Sequence, residues 1–404
     1  MGSLAITNAT VVLPDRVIVG GAVVIHRGII TDVATSAAAV RPTLNTEIDA
    51  HGALVIPGLV DLHNDGLEIE VRPRPMAELP LDVAFPTCER RLVASGVTTE
   101  FHAISFGDQT KAARTLRQAA ARAAYIADER DSFSGAVEHH VLHRVDVWSP
   151  QYLDEVFESI ARLDIHYLSL NDHTPGQGQY GDLDKFFEMR QAYVANRGHE
   201  ATRESEVYSL IAERRAATAT LDAVYRRVGE EADRLGITIA SHDDDSPEKV
   251  EAMWALGARV AEFPVTIAAA QKARSLGMSI VVGAPNIVRG GSSSGNLDAT
   301  QLFRLGLADI ICADYHAPSL LPAVFKLASD HVTDLPTAIR AVTLNPARAV
   351  GLQDRGAIEP GMVADLNIVR LSRTGVPHVE STIRRGQPVF SYAQGATAVC
   401  RVVA

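Results

Sequence analysis

The stretch Ile56-Pro57-Gly58-Leu59-Val60-Asp61-Leu62-His63-Asn64-Asp65 decides how the rest of this chain is read. An apolar run is interrupted by Pro-Gly and ends in a histidine and an aspartate two positions apart. Side chains alternate along a strand, so residues i and i+2 share a face. His63 and Asp65 therefore converge, one offering an imidazole nitrogen and the other carboxylate oxygens. That is half of a site for a divalent transition metal. Taken alone, the pair also fits an ordinary polar strand end. Its meaning turns on whether similar groups recur at the ends of later strands.

Working outward, apolar strand candidates lie at 59–63, 98–105, 137–145, 165–170, 237–240, 259–262, 279–283 and 310–312. Helical periodicity fills the spacers, for example at 111–130, 151–163, 247–256, 267–276 and 297–305. Ser246-Pro247 reads as an N-cap followed by proline at the first helical position. This serial alternation predicts an α/β fold, a (β/α)8 barrel over residues 56–355, with its chemistry at the C-terminal strand ends. A doubly wound open sheet is the competing architecture, but no glycine-rich dinucleotide turn follows the first strand.

Both ends of the chain read differently. Residues 4–13, 17–26, 29–33 and 46–49 look like short strands separated by turns, and 364–370, 378–384 and 387–392 repeat the style. The segments 1–55 and 356–404 are expected to pair into one small antiparallel β-domain. One barrel spacer, from Asn171 to Leu235, is about twice as long as the others. It opens with His173-Thr174-Pro175-Gly176-Gln177-Gly178-Gln179-Tyr180 and continues as two helical patterns, 183–195 and 205–235. This insertion, about 174–235, reads as a lid or dimer contact over the barrel mouth, so a homo-oligomer is expected.

The strand ends carry the polar groups that the opening pair demands. They are His63 and Asp65, then His102, then His139, His140 and His143 with Arg144, then Asn171-Asp172-His173. Ser241-His242-Asp243-Asp244-Asp245, Glu262, Asn286 and Asp314-Tyr315-His316 follow. Charged groups are costly to bury alone, so such a set at one rim implies a metal or an anionic ligand. Neighbours alternate, so His140, His143 and Arg144 cannot all face the site, and at least one is structural; which of His139, His140 and His143 faces it stays open.

Composition narrows the class. Of 404 residues, 47% are hydrophobic and 22% charged, ordinary values for a globular protein. A net charge of −11 argues against nucleic acid or anionic membrane as a partner, leaving a small-molecule substrate. Cys88, Cys312 and Cys400 are widely separated, form no metal motif or disulfide framework, and fit a reducing cytoplasm. Met1-Gly2-Ser3 leads into alternating sequence without a signal peptide, and no apolar run approaches the roughly 18 residues of a membrane span.

The whole set is similar to the amidohydrolase superfamily, with a β-domain split between the termini, His-x-His/Asp on the first barrel strand, His on the fifth and Asp on the eighth. The tail Thr343-Leu344-Asn345-Pro346-Ala347-Arg348-Ala349, followed by Gly361 and Ala364-Asp365-Leu366, resembles that superfamily's closing segment. Within it the resemblance narrows to the α-D-ribose 1-methylphosphonate 5-triphosphate diphosphatases of phosphonate metabolism. Ala94-Ser95-Gly96-Val97-Thr98-Thr99, Asp172-His173-Thr174-Pro175-Gly176-Gln177 and Ser241-His242-Asp243-Asp244 carry it. So do Ala261-Glu262-Phe263-Pro264 and Gly283-Ala284-Pro285-Asn286-Ile287-Val288-Arg289-Gly290-Gly291-Ser292. There are three departures: Asp65 is followed by Gly66, Ser293 stands where the family has a histidine, and His316 where it has a second tyrosine.

The resemblance implies a metal-dependent hydrolase that releases diphosphate from a phosphorylated substrate. His63, Asp65 and His242 would hold one or two divalent ions, zinc or manganese, with Asp172, Asp314 or His173 assisting. Such an ion lowers the pKa of water toward about 7. Asp314 would accept the water's proton, with Asp172 as the alternative base. Arg289, flanked by Gly290 and Gly291, offers phosphate a planar fork on a loop whose backbone N–H groups can approach closely. His173, Asp243 and Asn286 are expected to contact substrate beside it, as are Ser292, Tyr315 and His143. Two other functions compete. One is hydrolysis of an amide, lactam or carbamate, which a small pocket would favour. The other is a non-catalytic homologue, which the intact His63, Asp65, His242 and Asp314 oppose.

Overall fold

The computed structural model describes residues 3–36, 38, 46–74, 77–107, 115–129, 135–197, 203–292, 295–392 and 401–402. The N-terminal strands are β1 (Ser3–Val12), β2 (Val17–His26), β3 (Ile29–Ala34), β4 (Thr46–Asp49) and β5 (Leu54–Pro57). Next come β6 (Leu59–Asn64), β7 (Val97–Phe106), β8 (Glu138–Asp146), β9 (Tyr167–Asn171) and β10 (Thr238–His242). β11 (Ala258–Glu262), β12 (Ser279–Gly283) and β13 (Ile310–Cys312) complete the middle of the chain. β14 (Leu366–Leu371), β15 (Pro377–Arg384), β16 (Gln387–Ser391) and β17 (Arg401–Val402) end it.

Strands β6 to β13 form one eight-stranded sheet in sequential order, each paired in parallel with the next. Helices follow the strands and cover the outside, as the alternating pattern predicts. The barrel is closed at its rim, where Asn64 bridges Asp314. Lower down, Val342 accepts from Val60 and Ala341 accepts from Ile311, so residues 341–342 fill the seam between β6 and β13. Inside, Val60, Leu62, Phe101, Leu142, Tyr167, Val260, Val281 and Ile310 pack into a solid plug. A separate apolar cluster lies between the outer faces of the strands and the helices.

The Pro57-Gly58 break is where one sheet hands over to the other. β5 lies in the terminal sheet and pairs with β14, and Gly58 N–H donates to Asp365. β6 then begins in the barrel. A Cβ at Gly58 would sit 2.2 Å from Thr98 Oγ1, so only glycine lets β6 approach β7 here. The terminal sheet runs β16-β15-β14-β5-β1-β2-β3, with β4 also beside β1 and β17 beside β4. It is not purely antiparallel as expected. β4 and β5 both run parallel to β1, along its first and second halves, and behave as one interrupted strand.

Two helical expectations are revised. The long pattern 205–235 is two helices, Glu204–Ala216 and Thr218–Leu235, broken at Ala217. The helix Leu81–Ala94 escaped notice because Pro80 and Pro86 interrupt its periodicity, yet it buries Phe85, Leu92 and Val93 against the barrel. Among the described residues, no helix is long and apolar enough to cross a membrane.

Candidate active site at the barrel mouth

Each strand that supplies the site delivers its side chain at its carboxyl end. β6 does so through an irregularity. Its register with β7 shifts between Asp61 and Asn64, which turns His63 toward the mouth although Val60 and Leu62 face the interior. Just beyond β10, β11 and β13, the residues Asp243 (φ 52°), Phe263 (φ 54°) and Asp314 (φ 58°) adopt left-handed backbone conformations. Each costs of order 1–3 kcal/mol, and for phenylalanine the conformation is a genuine outlier. Strain repeated at three strand ends marks the rim as a functional surface.

His63 and His242 are nearly parallel, with ring centroids 5.7 Å apart and planes 22° from coplanar. Phe263 meets both rings edge-on, at 5.1 and 5.2 Å. Glu262, fully buried, lies 3.2 Å from Nδ1 of each histidine. Burial alone would raise the Glu262 pKa, but His63 and His242 hold it well below the usual carboxylate range. Burial likewise pulls His63 down, and Glu262 more than reverses this, so its pKa is raised.

On the other side of His242, Asp243 Oδ2 lies 3.5 Å from His242 Nε2 and 3.9 Å from His173 Nε2. That oxygen is buried and receives no hydrogen bond. Among the described residues, two groupings have ligand atoms within 4.8 Å of one another, His63–His242–Glu262 and His173–His242–Asp243. A bare carboxylate oxygen facing two imidazole nitrogens suits a divalent cation, so the residues present fit the expected metal.

Asp65 and Asp314 close the ring at the seam. Asp65 N–H donates to the Asp314 carbonyl (2.6 Å) and Asp314 N–H to that of His63 (2.8 Å). Arg144 donates to Asp65 Oδ1 at 3.0 Å and twice to Asn171 Oδ1. Burial first, then the Asp65 charge, pushes Asp314 up to about 6, against the opposing pull of His63 and Arg144.

The ring forms the floor of a cavity of about 1080 Å³. Its outer wall includes Arg190 and Arg214 from the inserted helices, and Arg289, Ser292 and Tyr315 from the loops after β12 and β13. Arg289 and Tyr315 are exposed. The 284–289 segment, read as a loop, is a short helix with Arg289 at its C-terminal end. The N–H groups of Gly290 and Gly291 both return to the Asn286 carbonyl. Those donors are spent on capping the helix, which corrects the expectation that they face a phosphate. Asn286 is committed too, since its side chain bonds Leu297 O and the Ala299 N–H.

Two expected site residues are not brought into the ring. Asp172 Oδ1 accepts from Trp148 Nε1 at 2.8 Å and from both the N–H and the hydroxyl of Thr174, with Arg214 at 4.0 Å. It ties down the start of the insertion. His143 lies on the barrel's outer face, stacked on Phe106 and 2.9 Å from Ser159 Oγ, and burial holds its pKa down at about 3. His139 faces outward as well, against His102 and Phe85, while His140 stacks on Phe101 within the barrel. His316 bonds Ser319 Oγ and does not line the cavity. Ser293 lies outside the described residues. Glu262 and Arg144 stand at strand ends without a motif that marks their role, and Arg190 and Arg214 carry no sequence signal of the cavity they line. Only the folded chain places helix residues from the insertion opposite β12.

The chain is similar over 390 residues, at 34% identity, to the α-D-ribose 1-methylphosphonate 5-triphosphate diphosphatase of Escherichia coli (strain K12), covering 96% of this chain and all of that one. Residues 327–390 match the amidohydrolase family. Among solved structures, a β-aspartyl dipeptidase from Fervidobacterium islandicum AW-1 superposes with a TM-score of 0.61 at 15% identity, covering 100% of this chain and 99% of that one. An enamidase of the amidohydrolase superfamily gives 0.60 at 16%, with 99% of both chains covered. Those two likenesses show the fold, and the bacterial relative shows the kinship. The chain is a hydrolase that belongs to the amidohydrolase superfamily, in the same family as the E. coli diphosphatase.

Proposed function

We propose that the chain hydrolyses a phosphoanhydride of a phosphonate-derived ribose triphosphate and releases diphosphate. The observation that carries this reading is the cavity's polarity. An acidic and imidazole floor suited to a divalent cation faces an outer wall bearing Arg190, Arg214 and Arg289 across about 1080 Å³. That volume stands at the upper end for small-molecule sites and suits an extended polyanion better than a compact amide. The name of the E. coli relative supports the same substrate class.

In this reading His63, His242, His173 and Asp243 would hold a zinc or manganese ion, with Asp65 and Asp314 alongside. Bound there, the ion supplies Lewis acidity that activates water. Arg144 fixes the Asp65 carboxylate. Asp314 takes the attacking water's proton and returns it to the departing diphosphate, whose bridging oxygen leaves as the anhydride breaks. The three outer arginines bind and orient the phosphate chain, and Arg289 has the freedom to pair bidentately with it.

The test compares Arg289→Ala on a phosphorylated and an uncharged substrate. A charge-assisted bidentate contact contributes about 1.5–3 kcal/mol, so kcat/KM should fall roughly 10–150-fold on the phosphorylated compound only. Arg289→Lys should recover part of the loss, since it keeps the charge without the fork. Unchanged kcat/KM on the phosphorylated compound would refute phosphate recognition by this wall and favour hydrolysis of an amide.

A further inference from the structure

We infer that Asp172 is a positioning residue for Arg214, and that Arg214, held in place before a substrate arrives, is the wall residue that sets affinity for an anionic one. The inference deepens the phosphate reading above and rests on it for the ligand. The holder itself is a matter of hydrogen bonds. Arg214 stands near the end of the helix Glu204–Ala216 and lines the cavity, whereas Asp172, Trp148 and Thr174 do not. Any influence of Asp172 on a substrate must therefore pass through another side chain.

The Arg214 guanidinium lies over the Trp148 ring, 5.2 Å from its centroid, and Nη1 donates to Thr174 Oγ1 at 2.8 Å. Both supports lead to one atom. Asp172 Oδ1 accepts from Trp148 Nε1 at 2.8 Å, from the Thr174 N–H at 3.1 Å and from the Thr174 hydroxyl at 2.5 Å. A hydroxyl has one proton to give and two lone pairs to offer, so Thr174 donates to Asp172 and accepts from Arg214. Arg214 Nη1 is 4.0 Å from Asp172 Oδ1 itself, beyond hydrogen-bond length. The ring and the hydroxyl carry the restraint.

The bond to Thr174 uses one of five N–H groups and leaves the others for an anion in the cavity. Burial pulls the Arg214 pKa down, and the Asp146 and Asp172 carboxylates oppose that pull. The Arg214 side chain is 19% exposed, while Arg190 and Arg289 are exposed residues. A fork that is already oriented loses less rotamer freedom when an anion docks, and its partial burial screens the contact less.

The experiment measures binding of inorganic triphosphate to the full, manganese-loaded chain by calorimetry, as a double-mutant cycle. Arg214→Ala should weaken binding roughly 10–150-fold, the loss of a charge-assisted contact. Asp172→Ala should weaken it roughly 5–20-fold in the parent, but less than about twofold once Arg214 is alanine, since a shared path makes the effects non-additive. Asp172→Asn keeps the Oδ1 acceptor and should bind within about threefold of the parent. Thr174→Val removes the relay hydroxyl and should give part of the same loss, again only when Arg214 is present. It decides the matter where Asp172→Ala does not fold. Equal losses with and without Arg214 would overturn the proposal, as would unchanged binding in Arg214→Ala, Asp172→Ala or Thr174→Val. A parent that binds no triphosphate would sink the phosphate reading and the substrate half of this inference with it. The holder is then read from Trp148 in a Trp254→Phe chain, where it is the single indole. Acrylamide quenching should rise in Asp172→Ala and stay at the parent's level in Asp172→Asn; equal quenching in all three would overturn the positioning role.

Discussion

Replacing Asp314 by asparagine should move activity and stability in opposite directions. The carboxylate lies half-buried at the barrel seam, and its pKa is lifted from 3.8 to about 6, first by burial and then by Asp65. The folded chain therefore holds this proton more tightly than the unfolded chain. Ionising Asp314 costs nothing below about pH 4; the cost builds between about pH 4 and 6 and is complete above that. The lift corresponds to about 3 kcal/mol, which partial exposure trims to about 2. Asparagine carries no such cost. Metal-free Asp314→Asn should thus melt higher than the metal-free parent at pH 7.5 and at the same temperature near pH 4. Loading with metal should erase the gain, since a cation stabilises the ionised carboxylate. Turnover by the loaded enzyme should fall about 10²- to 10⁴-fold, the contribution of a general base, with KM largely kept. A gentler perturbation reaches the same group. A methyl at Gly283 would stand 3.2 Å from Asp314 Oδ2 and 3.5 Å from its Cβ, while the backbone there (φ −80°, ψ 131°) accepts alanine. Gly283→Ala should displace the carboxylate by tenths of an ångström and cost roughly tenfold or more in kcat, in an otherwise stable protein. Turnover within threefold of the parent in Asp314→Asn, or a melting difference that does not depend on pH, would refute this account.

Two further substitutions probe the surroundings. Asp61, fully buried, has its pKa pushed up to about 7 by burial, against hydrogen bonds from the Ala313 and His63 N–H groups that asparagine can also accept. Asp61→Asn should therefore raise the melting temperature above about pH 7 and leave it unchanged near pH 4, as calorimetry across pH would show. Asp172→Asn keeps the acceptor that serves Trp148 and Thr174 and should leave kcat within about threefold; a hundredfold loss would return Asp172 to the chemistry.

The parts of this molecule that were legible in the sequence are those governed by local periodicity. Alternation of apolar strands with helical spacers gave the barrel, and polar residues at strand ends gave His63, Asp65, His242 and Asp314. What stayed hidden depends on direction rather than identity. His143 has the right residue type at a plausible position, but strand parity turns it outward onto Phe106. Asp172 stands one residue past β9, where a turn closed by Thr174 captures its carboxylate. The Gly290-Gly291 pair looked like an anion cradle and is a helix cap, because the preceding residues complete a turn that no periodicity signals. The parallel course of β4 beside β1 is a long-range pairing, and nothing in either strand specifies it.

The arrangement also explains why chemistry and substrate choice can vary separately here. The floor is built on β6, β10, β11 and β13, whose ends are joined by backbone bonds and by the Glu262 carboxylate, which bonds Tyr167, Ser169 and His242. The outer wall hangs from longer connections: the insertion after β9 and the short helix after β12. These two pieces are joined to each other through Asn296 and the Gln179 carbonyl. The insertion also returns to the floor, where Gly178 N–H donates to Asp245 Oδ2 two residues beyond Asp243 and the Tyr180 ring meets His173 edge-on. Exchanging Arg190 or Arg289 therefore changes the charge that a substrate meets while leaving every contact of His63, His242 and Glu262 in place. A change at Tyr167 or Ser169 does the reverse, since neither lines the cavity but each holds the carboxylate that bonds His242. On the proposed function, substrate preference belongs to the wall and the capacity to hydrolyse to the floor.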